Sequence, residues 1–244
     1  RFRWLVGADG QSSTVRRWAG LDRARSRGVR YGFRTHYRTD PATTTIDMVE
    51  VHWGRGGQLY LTPVAPDCVC VVYITRDLHR LSANVRSNIL AEFPRVAERF
   101  QQAEVVSRQR GAVTASCKLY NVATDSIALI GDASGSADAI TGEGLAISFR
   151  QALALADSIH SGSLESYRRV HQQIGKLPIA MGELMLTLDR WPRLQVRAIR
   201  ALASTPLIFQ DLLHAHMGEK SLASVLLRCG PRFGWSLLIK GAPA

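Results

Sequence analysis

The sequence predicts an α+β protein in which two strand-turn-helix units flank an antiparallel sheet, with a helical tail after the second unit. Three observations predict it. A short apolar strand, a Gly-Asp turn and a helix start occur twice, at residues 3–20 and 127–156. Between them lie short segments rich in β-branched and aromatic residues, separated by Gly or Pro turns. From residue 163 onward apolar residues recur at helical spacing and Pro residues punctuate the runs. Residues 1–30 and 115–162 are expected to build one α/β domain, 31–114 an antiparallel domain with helices, and 163–244 a helical region.

In the first unit, Arg3 to Val6 reads as a strand that ends in Gly7-Ala8-Asp9-Gly10. Ser12 or Ser13 is placed to cap a short helix that Gly20 stops. In the second unit, the strand Ile127 to Ile130 ends at Gly131-Asp132, a loop of small residues follows, and a long apolar-striped helix runs to Ala156. Thr141 is the expected N-cap, and Gly142 and Gly144 leave the first-turn amides of that helix unobstructed. A helix start carries about half a positive charge and suits an electron-rich or anionic group. Gly131 lets a ligand approach the backbone, and the Asp132 carboxylate can accept hydrogen bonds from hydroxyl groups. Two such turns at the carboxyl ends of strands lie where open α/β sheets bind ligands.

The strands expected in the middle are Phe33–Arg38, Asp47–Trp53, Gln58–Pro63 and Cys68–Thr75, the last being the most buried. Helices are expected at Leu78–Phe93 and Pro94–Gln101, and a returning strand at Val105–Thr114. The tail divides into helices at Leu164–Ile174, Ile179–Leu188, Leu194–Leu202, Pro206–His216 and Leu222–Leu227, with Pro178, Pro192, Pro206 and Pro231 at or near their starts and ends.

The chain has 244 residues, 46% hydrophobic and 21% charged, with a formal net charge of +11. The charge sits at the two ends: residues 1–30 carry eight Arg against two Asp, and residues 163–244 carry eleven Lys or Arg against five acids. No basic run with interleaved aromatics accompanies it, so nucleic-acid binding is not expected. Cys68, Cys70, Cys117 and Cys229 form no CxxC pair and no zinc-ligand spacing with the His residues. No metal site is expected, and scattered thiols suit a reducing cytoplasm. No apolar run reaches the roughly 18 residues of a spanning helix.

Gly7-Ala8-Asp9-Gly10 followed by Ser13, Val15 and Arg16 resembles the "DG" motif of the FAD-dependent oxidoreductases with the fold of aromatic-ring hydroxylases and geranylgeranyl reductases. Gly131-Asp132 followed by Gly142 and Gly144 resembles the same family's "GD" motif. The resemblance implies an FAD site in which Asp9, Gly10, Arg16, Gly131, Asp132, Gly142, Glu143 and Gly144 contact or shape the cofactor. Asp132 is implied to bond a ribityl hydroxyl, and the amides from Gly142 to Gly144 are implied to face the pyrimidine edge of the flavin. Asp9, near the diphosphate and ribityl region, is expected to act through its turn geometry and through hydroxyls or water.

The resemblance further implies reduction by NAD(P)H or another donor, then hydride transfer to a double bond or activation of O₂ for hydroxylation. The substrate class it implies is a small lipid or aromatic molecule.

Several residues depart from the pattern. The hydroxylases' His and Pro are here Gly135 and Ala139, and their later Asp-Ala pair is Gln151-Ala152. Asp138 to Gly144 is closer to the reductases. The two Trp of the halogenase strand are absent from Gly57 to Pro63, which argues against halogenation. No GxGxxG turn for the ADP diphosphate occurs, and the chain starts within a strand without Met. A βαβ unit of about 30 residues is therefore expected upstream.

Catalytic residues are not legible. Trp53, Tyr60, His36 and His52 lie on strands that would cover the substrate side in this fold, and each also reads as a packed sheet residue. Glu143 reads as a proton donor or as an exposed acid favoured by the helix dipole. Arg16 and Arg17 read as phosphate contacts or as a solvated helix face. Arg193, Arg197 and Arg200 beside Leu194, Val196 and Ile199 read as a helix packed on the core or as a basic amphipathic helix on an anionic membrane. The alternatives to an FAD enzyme are a basic peripheral membrane or partner-binding protein with a vestigial flavin fold, and a fragment without activity.

Overall fold

A computed structural model describes residues 2–42, 44, 46–77, 79, 92–217, 219–221 and 223–230. The expected helix Leu78–Phe93 falls almost entirely outside the described residues, as does Pro231. The chain divides into two compact units, one of Arg1–Ser26 with Cys117–Ala244, the other Arg27–Ser116. The elements are helices and a mainly antiparallel sheet, so the α+β class holds.

In the first unit, β1 (Leu5–Gly7) pairs parallel with β8 (Ile127–Leu129), placing Gly7 opposite Leu129. The helix α1 (Thr14–Trp18) follows β1, capped by Ser13 as expected, and Gly20 ends the turn after it. A Cβ at Gly7 would lie 2.6 Å from the Leu129 side chain and 3.0 Å from Val15, so only glycine lets β1, β8 and α1 approach this closely. Helices α3 (Gly144–His160) and α4 (Glu165–Arg190) pack together. Leu129, Leu155, Leu164 and Tyr167 are buried in one cluster, and the Tyr167 hydroxyl donates to the Leu129 carbonyl at 2.6 Å. On its other side α3 leaves Leu145, Phe149 and Leu153 exposed.

The tail differs from expectation at Pro178. Instead of two helices there is one 26-residue helix with Pro178 inside it. An interior proline forfeits one backbone bond and costs about 3 kcal/mol; here Tyr167, Pro178 and Gly182 are buried along α4, and that packing offsets the loss. Helices α5 (Pro192–Ala203) and α6 (Pro206–His216) each begin on the proline that sequence placed near their starts. Residues 223–230 are also helical.

The second unit is an antiparallel sheet. Strands β3 (Glu50–Trp53), β4 (Gly57–Ala65), β5 (Cys68–Thr75) and β2 (Ala24–Arg38) are neighbours in that order, followed by β7 (Arg110–Leu119), with β6 (Glu104–Val105) pairing the end of β2. Leu59 and Leu61 alternate inward and are fully buried with Tyr73, Val96 and Phe100. Phe100, after the short helix α2 (Pro94–Arg99), meets Tyr37 edge-on at 5.6 Å.

Two strands differ from expectation in extent. β2 starts at Ala24, nine residues before Phe33, because its Arg-rich first half reads as polar. One of its cations is nonetheless built into the sheet: Arg30 is buried and donates to Gln58 Oε1 at 2.9 Å. The expected strand Val105–Thr114 is two strands, β6 and β7, with an interruption between them.

Candidate functional site

The motif residues meet in the first unit. After β1, the Asp9 carboxylate turns back onto α1 and accepts from the Ser13 hydroxyl, from Thr14 N–H at 2.6 Å and from Val15 N–H at 3.1 Å. The Ser13 hydroxyl bond, with the two amides, holds the Asp9 carboxyl at a pKa of about 2. Asp9 therefore satisfies the orphan amides of its own helix, in keeping with a role through turn geometry. Gly10 adopts the left-handed conformation, φ 78°, and its carbonyl accepts from Ser13 N–H at 3.1 Å.

Arg16 spends a donor from each of its three nitrogens on the protein itself. Its side chain is 12% exposed; Nε donates to Asp22 Oδ1 at 2.8 Å, Nη2 to the Gln11 carbonyl at 2.7 Å and Nη1 to the Ala133 carbonyl at 3.3 Å. The last bond ties the first turn to the second. Arg17 is exposed and donates to the Ser12 carbonyl and to Thr14 Oγ1.

The second turn leaves β8 through a 3-10 turn, Gly131–Ser134, then the two-residue strand β9 (Gly135–Ser136), which pairs with the end of β7. Gly131 has φ 59°, and an added Cβ would lie 3.0 Å from Ser148 Oγ of α3. The space that its hydrogen leaves is thus used by the protein's own helix. Gly135 has φ 114°, and an added Cβ would sit 2.6 Å from the Cys117 carbonyl oxygen. Asp132 is exposed, and its carboxylate has no hydrogen-bond or ion-pair partner among the described residues.

A second 3-10 turn, Ala139–Thr141, leads into α3. Asp138 caps it by accepting from Ile140 N–H at 3.0 Å. Thr141 does not cap α3, contrary to expectation. The helix starts at Gly144, Glu143 holds the N-cap position without a side-chain bond, and Thr141 Oγ1 is buried without a partner among the described residues.

The amides corrected most are at the glycines. Gly142 is left-handed, φ 71°, and its N–H donates to the Ala139 carbonyl at 3.1 Å, so it is spent inside the turn. The open donors are those of the first turn of α3, Gly144, Leu145 and Ala146, which have no intrahelical acceptor. A Cβ at Gly142 or Gly144 would meet nothing within 4 Å, so the approach to these amides is clear.

Glu143 is not an exposed acid. Its side chain is 14% exposed, and Oε2, without a hydrogen-bond partner, lies 3.7 Å from Nε2 of His216 at the end of α6. His216 was not visible as a site residue in the sequence, because a lone His in the last turn of a helix reads as a dipole partner.

The second unit holds the other candidates. His52 Nε2 lies 2.9 Å from Glu50 Oε2, and Arg99 clasps the same carboxylate at 2.8 and 2.9 Å. The Arg99 bonds, and then His52, hold the Glu50 carboxyl below the usual range. His36 Nδ1 is 3.1 Å from Ser107 Oγ, Tyr60 OH donates to Gln58 Oε1 at 3.2 Å, and Trp53 closes β3 half-buried. The four Cys are free, and burial pushes the Cys70 and Cys117 thiols up. No cluster of metal-ligand type, and no helix long and apolar enough to cross a membrane, occurs among the described residues.

No family model matches the chain, and no curated protein matches it. Solved structures of flavin enzymes do share its fold. Diels-Alderase PyrE3, from the biosynthetic pathway of pyrroindomycins, aligns with a TM-score of 0.68 and 20% identity over 89% of this chain and 50% of its own. A flavoprotein/dehydrogenase from Cytophaga hutchinsonii aligns at 0.64 and 15% over 79% and 50%. Halogenase PltM, solved in complex with FAD, aligns at 0.62 and 18% over 86% and 50%. The chain spans about half the length of the structures it matches, from 37% of the halogenase CmlS to 63% of a triple mutant of the brominase Bmp2. At these identities the likeness establishes the fold.

Proposed function

We propose that this chain supplies the ribityl and pyrimidine half of an FAD site in an oxidoreductase. The observation that carries the reading is the pairing of an exposed, unpartnered carboxylate, Asp132, with the open first-turn amides of α3, on a scaffold shared with flavin enzymes. Gly131 packs against Ser148, one turn into α3, so the carboxylate and the helix start belong to one local assembly.

The residues fit the group. A carboxylate accepts from hydroxyls of a polyol chain, and a 17-residue helix offers partial positive charge where a reduced flavin would carry negative charge. Asp9 and Arg16 act one step back: Asp9 shapes the first turn and Arg16 ties it to the second. Glu143 Oε2 and His216 Nε2, 3.7 Å apart, place a carboxylate and an imidazole beside the helix start.

FAD, when bound and reduced by NAD(P)H, supplies a hydride for a substrate double bond or the electrons that activate O₂ for hydroxylation. The reductase-like run Asp138 to Gly144 favours the first, on a lipid or aromatic substrate. The halogenation and cycloaddition in the names of the structural neighbours are properties of those proteins.

Flavin content after expression tests the reading. Wild type is expected to retain FAD or to take it up on titration, and Asp132→Ala to lose most of it. Equal flavin content in that variant would contradict the assignment. Formation of a saturated product, against NAD(P)H-dependent O₂ uptake, separates reductase from hydroxylase.

A second reading concerns the tail. On α5, Leu194, Val196 and Ile199 are exposed beside Arg193, Arg197 and Arg200, while the buried face is made of small residues, Ala198 and Ala201. That arrangement suits a peripheral contact with an anionic membrane. Binding to phosphatidylserine vesicles that falls with salt supports it; no binding at low salt refutes it.

A further inference from the structure

The Asp132 carboxylate has no hydrogen-bond or ion-pair partner among the described residues, yet the residues on both sides of it are held. Gly131 N–H donates to Gln151 Oε1 of α3 at 2.7 Å. The Ser134 hydroxyl lies 2.8 Å from the Gly131 carbonyl, 3.3 Å from Gln151 Oε1 and 2.8 Å from Nε2 of His171 on α4. Gln151 Nε2 lies 3.0 Å from the same His171 Nε2. Gln151 and Ser134 are 3% and 2% exposed, so these bonds are sheltered from water.

The Gln151 contacts constrain the network. A peptide N–H can only donate, so Gly131 obliges the Gln151 carboxamide to turn its oxygen toward the loop and its NH₂ toward His171. An amide NH₂ is also only a donor, so the Gln151 contact makes His171 Nε2 an acceptor, and the single Ser134 hydroxyl proton then alternates between Nε2 and the Gly131 carbonyl, both at 2.8 Å. The imidazole is therefore neutral with its proton on Nδ1. A charged ring would set N–H against NH₂ at 3.0 Å. Burial pushes in the same direction, lowering the His171 pKa to about 4. The ring also meets Tyr167, edge-on at 5.6 Å, which burial keeps uncharged.

We propose that Gln151 and His171 are positioning residues: a clamp built on a neutral histidine that holds Gly131 and Ser134, and so aims the Asp132 carboxylate at a ligand hydroxyl. The inference rests on the proposed FAD site and deepens it. It also accounts for a departure noted in the sequence, where Gln151 replaces the family's Asp. A carboxylate there would face His171 Nε2 and favour the imidazolium, whereas a carboxamide matches the neutral ring.

Two kinds of measurement test the clamp. In FAD titration of the 244-residue chain, His171→Phe and Gln151→Leu are expected to weaken binding about tenfold each, the loss of one buried hydrogen bond. His171→Gln, whose Oε1 can accept where Nε2 did, should bind within about threefold of wild type by the same arithmetic. Equal affinity of His171→Phe and wild type overturns the clamp.

The second measurement needs no flavin. Nitrogen NMR of His171 should show a neutral ring protonated on Nδ1, Gln151→Glu should raise its pKa well above 4, and His171→Phe should speed amide exchange at Gly131. A ring protonated on Nε2, or unchanged exchange at Gly131, refutes the clamp. If no variant and no wild-type protein binds FAD, the proposed function fails, and the NMR and exchange results still decide whether the clamp exists.

Discussion

The two Gly-Asp turns of this chain start from similar strand-turn-helix units and end in opposite states. In the first, Asp9 folds back onto α1 and takes up the hydroxyl and amides at that helix start. In the second, Asp132 leaves α3 alone: its neighbours are held by Gln151, Ser134 and His171, and both the carboxylate and the amides of α3 remain open. The difference is one of spacing. Asp9 stands five residues before the first residue of α1, close enough to cap it, whereas twelve residues separate Asp132 from Gly144. A carboxylate near a helix start is a cap when the loop is short, and it is free for a ligand when a second turn intervenes.

The largest effect that would break this contrast is on the clamp. A His whose folded pKa is depressed to about 4 contributes stability that is complete above its ordinary value near 6.5. Below 6.5 the unfolded chain gains a proton that the folded chain refuses, so stability falls until pH reaches about 4. The shift corresponds to about 3 kcal/mol at most. Urea unfolding between pH 7 and 4 should show a decline of this order, and His171→Gln should flatten it.

Next comes Gly135→Ala, which forces a side chain into a left-handed backbone against the Cys117 carbonyl and is expected to cost about 2–3 kcal/mol. A thermal midpoint within a degree of wild type would show that β9 does not fix the second turn. Arg16→Ala removes the bond that joins the turns and strips two further acceptors. A loss of about 2 kcal/mol is expected from charged-donor bonds in a largely sheltered site. Arg16→Lys should recover only part of it, because one ammonium cannot span three acceptors in different directions.

The smallest effect is at Asp9. Asp9→Ala should lower the unfolding midpoint slightly at pH 7 and not at pH 2. A carboxyl with a depressed pKa stabilises above its ordinary value and loses that contribution as pH falls from about 3.8 to about 2. An Asp9→Ala variant that unfolds like wild type at pH 7 would remove the cap from the account.

Much of the site could be read from sequence because turns and caps are local. Ser13, Gly20 and the proline starts of α5 and α6 follow from nearest-neighbour chemistry, and the structure places them accordingly. What sequence missed is tertiary. Pro178 sits inside a helix because packing outweighs one lost bond, and Thr141 yields the cap because Asp138 organises a separate turn before it. Arg16 read equally as a phosphate contact or a solvated helix face because its acceptors, the Gln11 and Ala133 carbonyls, carry no side-chain signal. Gln151 was visible as a substitution, but His171, twenty residues further on, becomes its partner only when α3 and α4 pack.

The most direct test of the central claim is a parallel FAD titration of Asp9→Asn and Asp132→Asn, each keeping its size and losing its charge. The account predicts that Asp132→Asn weakens FAD binding about tenfold or more, as expected for a charge-assisted bond to a ligand hydroxyl. It predicts that Asp9→Asn binds nearly as wild type does. Equal losses in the two variants, or a larger loss for Asp9→Asn, would contradict it.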